Sequence, residues 1–105
     1  MHKLLVLYPE PTDRATFIDY YTTTHLPLAK RLPGMLSWTY SVDITTDKDG
    51  NSPYFAIFEA AFPDQDTFAS AMASQVGQDV AADVGNYATG GATIVDFAVS
   101  GGEES

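Results

Sequence analysis

One predicted helix carries the two side chains best suited to acid–base chemistry. His25 follows Tyr21 by four residues and Ile18 by seven, so the three share one helix face. An imidazole suits a general acid or base near neutral pH, and a phenol can donate a hydrogen bond to a carbonyl or phenolate oxygen. Tyr20 diverges from Tyr21 by about 100° and does not share that face. The sequence predicts His25 and Tyr21 as catalytic residues.

A structural role for the same two residues stays open. His25 fits equally a buried histidine bonded to backbone at a helix end, for instance to the Thr23 carbonyl that Pro27 leaves without a donor. Tyr21 fits equally an aromatic core residue.

Aromatic side chains around this helix predict an apolar pocket for a planar ligand. Trp38 and Tyr40 alternate with polar residues on one strand and therefore share a face. We predict that Trp38, Tyr40, Phe58 and Phe17 contact the substrate. The alternative is that these aromatics belong to the core or to a subunit interface.

Two carboxylates interrupt otherwise apolar strands. Glu59 and Asp96 are each a possible general base in an apolar pocket, or a partner for a basic side chain. A shift of one residue in register exchanges the two faces of a strand, so the sequence leaves open whether they face the pocket or an interface. His2 precedes the first strand and could reach the same cleft, but beside the terminus it is expected to fray.

Composition excludes several classes of function. The 105 residues include no cysteine, two histidines without metal-ligand spacing, and neither a P-loop nor a Gly-x-Ser-x-Gly motif, so we expect no metal and no cofactor. A formal charge of −9 opposes binding to nucleic acid or to anionic membranes. No apolar run is long enough to span a bilayer and no signal peptide is apparent, so we expect a cytoplasmic protein.

Hydrophobic periodicity and turn residues predict six main elements. Asp13 is expected to cap the first helix, Pro27 to kink or end it, and Gly77 to break the second helix. The predicted elements are strand 3–8, helix 14–25 with a further turn at 28–32, strands 35–45 and 54–62, a helix beginning at Asp64 or Asp66 with a short piece at 80–86, and strand 92–99.

This order predicts a ferredoxin-like α+β fold, β-α-β-β-α-β, with a four-stranded antiparallel sheet and both helices on one face. We expect one domain over residues 1–100 and a disordered tail over 101–105. The first, third and fourth strands are apolar on both sides, so the open face of the sheet needs a cover. The simplest cover is a second copy of the chain, which predicts a homodimer.

A family resemblance accompanies this pattern. The segment 17–29 reads FIDYYTTTHLPLA and is followed by Leu32-Pro33-Gly34, and together with segment 82–87 it resembles the EthD family over nearly the whole chain. The resemblance implies a dimeric α/β barrel. Similar barrels include cofactor-independent polyketide cyclases, lactone isomerases, monooxygenases and decarboxylases, so the fold does not select a reaction.

Two functions follow from these features. The first is a cofactor-independent enzyme that acts by proton transfer on a small hydrophobic or aromatic, oxygen-bearing metabolite, as a cyclase, isomerase, decarboxylase or cofactorless monooxygenase. The alternative is a non-catalytic dimeric module that binds a hydrophobic small molecule in the same pocket.

Overall fold

The computed structural model describes residues 1–103 of the chain and contains one sheet with helices on one face. The strands are β1 (His2–Tyr8), β2 (Ser37–Ser41), β3 (Ala56–Phe62) and β4 (Thr93–Ala98). The helices are α1 (Arg14–Tyr20), a π-helical turn (Tyr21–His25), α2 (Leu26–Ala29), α3 (Gln65–Ala73), α4 (Gln75–Asp83) and a 3₁₀ turn (Val84–Asn86).

The sheet has the order β2-β3-β1-β4, and every neighbouring pair is antiparallel. This confirms the predicted ferredoxin-like α+β fold. Side chains alternate along β1, so that Leu4, Val6 and Tyr8 are buried beneath the helices and Leu5 and Leu7 lie on the opposite face. We call that opposite face, which carries no helix, the open face.

The first helix does not end at Pro27. The N–H of Leu26 donates to the carbonyl of Tyr21, five residues back, and the chain stays helical to Ala29. A proline has no N–H and its ring crowds the carbonyl four residues earlier, and the wider π-helical turn accommodates both constraints. The hydroxyls of Thr22 and Thr23 donate to main-chain carbonyls one turn back.

The second helical segment breaks at Ser74, and the predicted break at Gly77 is wrong. Ser74 has an extended backbone, and its hydroxyl accepts a hydrogen bond from the Gly77 N–H at 3.1 Å, which caps α4. Gly77 lies inside α4 and is buried. A Cβ atom there would overlap the carbonyl oxygens of Ala71 and Met72, so the glycine permits the close approach of α4 to the end of α3.

The start of β1 and the end of β2 differ from the predicted strand ends. His2 does not fray, because β1 is a central strand and His2 pairs with Phe62 on one side and Ala98 on the other. At the other edge, β2 ends at Ser41 because it pairs only with β3, and the ladder stops where Ser41 meets Ile57.

The predicted tail 101–105 is described in part. Residues 101–103 contain no helix or strand, and Glu104 and Ser105 lie outside the described residues. Within residues 1–103, each helix is too short or too polar to cross a membrane.

Candidate functional site

A small apolar cavity lies between the sheet and the helices, beside His25. Its volume is about 60 Å³, room for about two water molecules at their volume in the liquid. Hydrocarbon side chains form nearly all of its wall, and His25 and Tyr8 contribute the polar groups. The lining residues are Leu4, Val6, Tyr8, His25, Ala29, Leu32, Phe58, Met72, Val80, Ala81, Val84 and Ile94.

His25 is placed in this wall by the π-helical turn and is paired with a carboxylate from the other helical segment. His25 as a whole residue is 4% exposed. Its Nδ1 lies 2.9 Å from Oδ2 of Asp83, at the last residue of α4. The predicted partner, the carbonyl of Thr23, is replaced by a side chain that is 58 residues away in sequence.

Two further side chains hold the carboxylate of Asp83. The hydroxyl of Tyr20 donates to Oδ1 at 2.6 Å, and Nδ2 of Asn86 donates to the same oxygen at 2.9 Å. Although burial acts to raise it, the hydrogen bonds from Tyr20, Asn86 and His25 hold the pKa of Asp83 below its ordinary value. Asp83 is therefore an anion at neutral pH and accepts hydrogen bonds through both oxygens.

The protonation state of His25 follows from these surroundings. Burial lowers the pKa of His25 below its ordinary value, and the opposing effect of Asp83 does not cancel this. The ring is therefore neutral at pH 7, and its one proton lies on Nδ1, because the anionic carboxylate can only accept. Nε2 is left with a free lone pair, and it makes no hydrogen bond within residues 1–103.

Tyr21 is fully buried and packs against His25, with 5.5 Å between ring centroids and 15° between ring planes. Its hydroxyl has no hydrogen-bond partner among the described residues. Burial raises the pKa of Tyr21 far above its ordinary value, so the phenol keeps its proton. Tyr21 is not among the residues that line the cavity, whereas Tyr8, whose hydroxyl bonds that of Tyr87 at 2.6 Å, is.

The residues predicted to contact substrate lie in three different places. Phe58 lines the cavity. Phe17 is buried beside it and packs on Tyr21 and Tyr8. Trp38 and Tyr40 lie on the helix side of edge strand β2, and their ring centroids are 6.4 Å apart. Neither residue lines the cavity.

The two strand carboxylates face opposite sides of the sheet. Glu59 lies on the open face, where it pairs with Lys3 at 3.2 Å. Asp96 faces the helix side and bonds Nε2 of buried His2 at 2.7 Å. Each carboxylate therefore has a partner within the chain: Lys3 is a basic partner of the kind that the structural alternative predicted for Glu59, whereas the pairing of Asp96 with His2 was not predicted.

Asp83 and Ile94 were not predicted as site residues. Asp83 carries no local signal, since its partners Tyr20 and His25 lie about sixty positions earlier. Tyr8 is one of several aromatic residues on apolar strands, and no spacing distinguishes a cavity residue from a core residue there.

Comparison with known proteins shows similarity over most of the chain. The family model described as EthD domain matches residues 9–91. An uncharacterized 11.0 kDa protein in the thcB-thcC intergenic region of Rhodococcus erythropolis is 32% identical over 96 residues, which cover 90% of this chain and 91% of that protein. A crystal structure of an ethyl tert-butyl ether degradation (EthD) family protein from Bacillus halodurans is 28% identical, with a TM-score of 0.85 and coverage of 100% and 99%.

More distant crystal structures share the fold alone. One is a dimeric ferredoxin-like protein from Thermobifida fusca, with 15% identity, a TM-score of 0.68 and coverage of 93% and 89%. Another is SnoaB, a cofactor-independent oxygenase from Streptomyces nogalater, with 18% identity, a TM-score of 0.64 and coverage of 96% and 94%.

Proposed function

The chain belongs to the EthD family, and we propose that it is a cofactor-independent enzyme in which His25 acts as a general base on a small, apolar, oxygen-bearing substrate. One observation carries the proposal: a neutral histidine lines an apolar cavity while its Nδ1–H is held by an anionic carboxylate. This arrangement leaves Nε2 as the proton acceptor.

The surroundings of His25 suit proton abstraction in three ways. Asp83 fixes the tautomer and stabilises the imidazolium that forms when Nε2 takes a proton. Tyr20 and Asn86 keep the carboxylate in place, so that little reorganisation accompanies the transfer. Burial of His25 in an apolar wall lowers the local dielectric, which strengthens the electrostatic interaction of the ring with Asp83.

The cavity favours substrates whose acidic hydrogen sits on an apolar body. Enolisable ketones and phenols fit this description, and cyclisation, isomerisation, decarboxylation and substrate-driven oxygenation all begin with such a deprotonation. The unpartnered hydroxyl of Tyr21, next to the His25 ring, is our candidate donor to an oxygen of a substrate that has entered further. Phe58 is the candidate apolar contact, and in this proposal Phe17, Trp38 and Tyr40 support the site from outside the cavity.

The proposal is tested with 5-nitrobenzisoxazole, a neutral probe for a base in an apolar site. Base removes the proton on its ring carbon, the N–O bond breaks, and a coloured nitrophenolate forms. We expect turnover at least 100-fold above that of free imidazole at the same concentration, in the range expected of a positioned base. His25→Gln should abolish this excess, whereas Asp19→Asn, an exposed change on the same helical segment, should leave it intact.

Two outcomes would contradict the proposal. If His25→Gln catalyses as well as the unaltered protein, the proton goes to another group. If His25→Gln binds 1-naphthol normally and the unaltered protein shows no rate above that of imidazole, the non-catalytic binding module is the better description.

We further propose that the chain is a homodimer that packs through its open face. Val95 and Phe97 are 42% and 43% exposed on this face, where Val95 lies opposite Leu5 of β1 and Phe97 lies opposite Lys3. An apolar face of this kind is uncommon on a soluble monomer, and a ferredoxin-like structural neighbour is described as dimeric. Sedimentation equilibrium should give twice the chain mass of 11.3 kDa.

A matched pair of variants tests the face that is used. Phe97→Asp should dissociate the dimer, whereas Leu36→Asp, an exposed apolar position outside the four strands, should not. A monomeric unaltered chain at micromolar concentration would refute the proposed assembly.

A further inference from the structure

We infer that ligands reach His25 through the gap between β4 and α4, and that Ile94 at the rim of this gap sets the size of the ligand admitted. The inference rests on the proposed function, because it assigns an entrance and a size filter to the same cavity. It concerns Ile94, a residue that the sequence did not single out.

Exposure along the cavity wall locates the opening. Most lining residues are buried, but Ala81 on α4 and Ile94 on β4 are exposed, Ile94 by 56%. All six residues of β4 are exposed, so the helices within residues 1–103 leave the helix-side face of this strand uncovered. The wall is therefore most open to solvent between Ala81 and Ile94, on the β4 side.

Strand register connects the rim to the floor of the cavity. Ile94 lies opposite Val6 of β1, and Val6 lies opposite Phe58 of β3. The three side chains form one row on the helix side of the sheet, with Phe58 and Val6 buried and Ile94 at the exposed end. A ligand that enters past Ile94 consequently slides along this row toward the side chains at the centre of the sheet.

The proposed dimer leaves this entrance free. Val95 and Phe97 alternate with Ile94 and point to the open face, so a partner that covers them lies on the other side of the sheet. Each protomer then keeps its own entrance.

The dimensions and charge of the site indicate the class of ligand. The cavity of about 60 Å³ is well below the roughly 150 Å³ of an apolar cavity that takes up benzene. An aromatic ring therefore enters only if a wall residue moves, and Ile94 has solvent rather than packed atoms on its outer side. The apolar rim and the net charge of −9 disfavour anions. We assign the site to neutral phenols and enols that contain one ring or two fused rings.

The experiment compares phenol with 1-naphthol. Ile94→Ala opens the rim, Ile94→Trp closes it, and Val95→Ala is the matched control on the opposite face of the same strand. Affinities come from calorimetric titration, and the ¹⁵N resonances of the His25 ring report contact with the base. Circular dichroism verifies that each variant is folded.

We expect Ile94→Ala to tighten 1-naphthol about tenfold relative to phenol, in the range by which apolar pockets discriminate size. Ile94→Trp should weaken 1-naphthol by at least tenfold, and Val95→Ala should change either affinity less than twofold. Equal 1-naphthol affinities across the Ile94 variants, or no binding of either probe to any of them, would overturn the inference.

The two readouts separate the inference from the proposed function. Affinities that follow residue 94 without any shift of the His25 resonances would support the entrance and contradict the general base. If the His25 resonances shift on binding but the affinities do not depend on residue 94, the general base is supported and the entrance is contradicted.

Discussion

Replacing Asp83 by asparagine tests the reasoning about His25 most directly. The change keeps the shape of the side chain and removes its charge. The amide that replaces the carboxylate can accept from Nδ1–H or donate to a bare Nδ1, so the strict preference for one His25 tautomer is lost. We expect a mixture of tautomers in place of the single Nδ1–H form, and a lower fraction of rings with a free lone pair on Nε2.

The size of the effect follows from the bond that is lost. Nδ1 and Oδ2 lie 2.9 Å apart, with side-chain exposures of 5% and 12%. A hydrogen bond to a charged group contributes about 1.5–3 kcal/mol, which corresponds to about 10- to 150-fold in tautomer population. The imidazolium formed in the reaction also loses its counter-charge. We therefore expect the rate with 5-nitrobenzisoxazole to fall by about 10²- to 10⁴-fold, as in the corresponding change of an Asp–His pair in serine proteases.

Nuclear magnetic resonance measures the tautomer independently of activity. The chain has only two histidines, so long-range ¹H–¹⁵N correlation resolves two rings and identifies which nitrogen of each carries the proton. The same spectra across a pH series should show the pKa of His25 falling still further, because burial remains and the raising effect of Asp83 is gone.

A control variant separates this effect from a general loss of negative charge. Asp79→Asn changes the same helix by the same charge, and within residues 1–103 the Asp79 carboxylate accepts a side-chain hydrogen bond only from the exposed Gln75. It should leave the His25 spectrum and the rate unchanged. An Asp83→Asn protein with a pure Nδ1–H tautomer, or with an unaltered rate, would refute the role assigned to the carboxylate.

Three further predictions concern stability. The pKa of His25 is depressed, so the unfolded chain binds the extra proton first, and stability should fall as the pH drops below the ordinary histidine value of 6.5; urea unfolding between pH 7 and 5 should show this slope, and His25→Gln should flatten it. Tyr8→Phe should cost about 1–3 kcal/mol, since it leaves the buried hydroxyl of Tyr87 without its partner, whereas Tyr21→Phe removes a hydroxyl that has none and should be neutral or stabilising in the same assay. Gly77→Ala should destabilise the chain by more than about 2 kcal/mol because its Cβ meets two carbonyl oxygens, and Gly85→Ala, with open space around it, should be nearly neutral in thermal unfolding.

The features of the fold that could be predicted are those that local pattern determines. The apolar strands β1 and β3, the cap at Asp13, the cap at Asp64 (one of the two positions expected) and the order of elements follow from residues close together in sequence, and the structure contains all of them. The errors have tertiary causes. Gly77 is a breaker by propensity, but it is kept in α4 by the tight approach of α3.

The site residues likewise include some that local spacing predicts and others that depend on tertiary packing. Helical spacing placed His25 and Tyr21 on one buried face, and both are buried. It could not find Asp83, which reaches His25 only because α4 packs against the first helical segment. Nor could it exclude Trp38 and Tyr40 from the cavity, since that depends on β2 being the edge strand furthest from β4.

Tyr20 was correctly predicted to lie off the helix face of Tyr21 and His25, but its contact with Asp83 was not predicted. Adjacent helix positions diverge by about 100°, so Tyr20 was excluded from the face of Tyr21 and His25. The structure agrees, and the divergence is what carries the Tyr20 hydroxyl to the far oxygen of Asp83. Tyr21 packs on the imidazole ring while Tyr20 holds the carboxylate that orients it. Because the two adjacent tyrosines point in different directions, one packs against the His25 ring and the other binds its carboxylate partner.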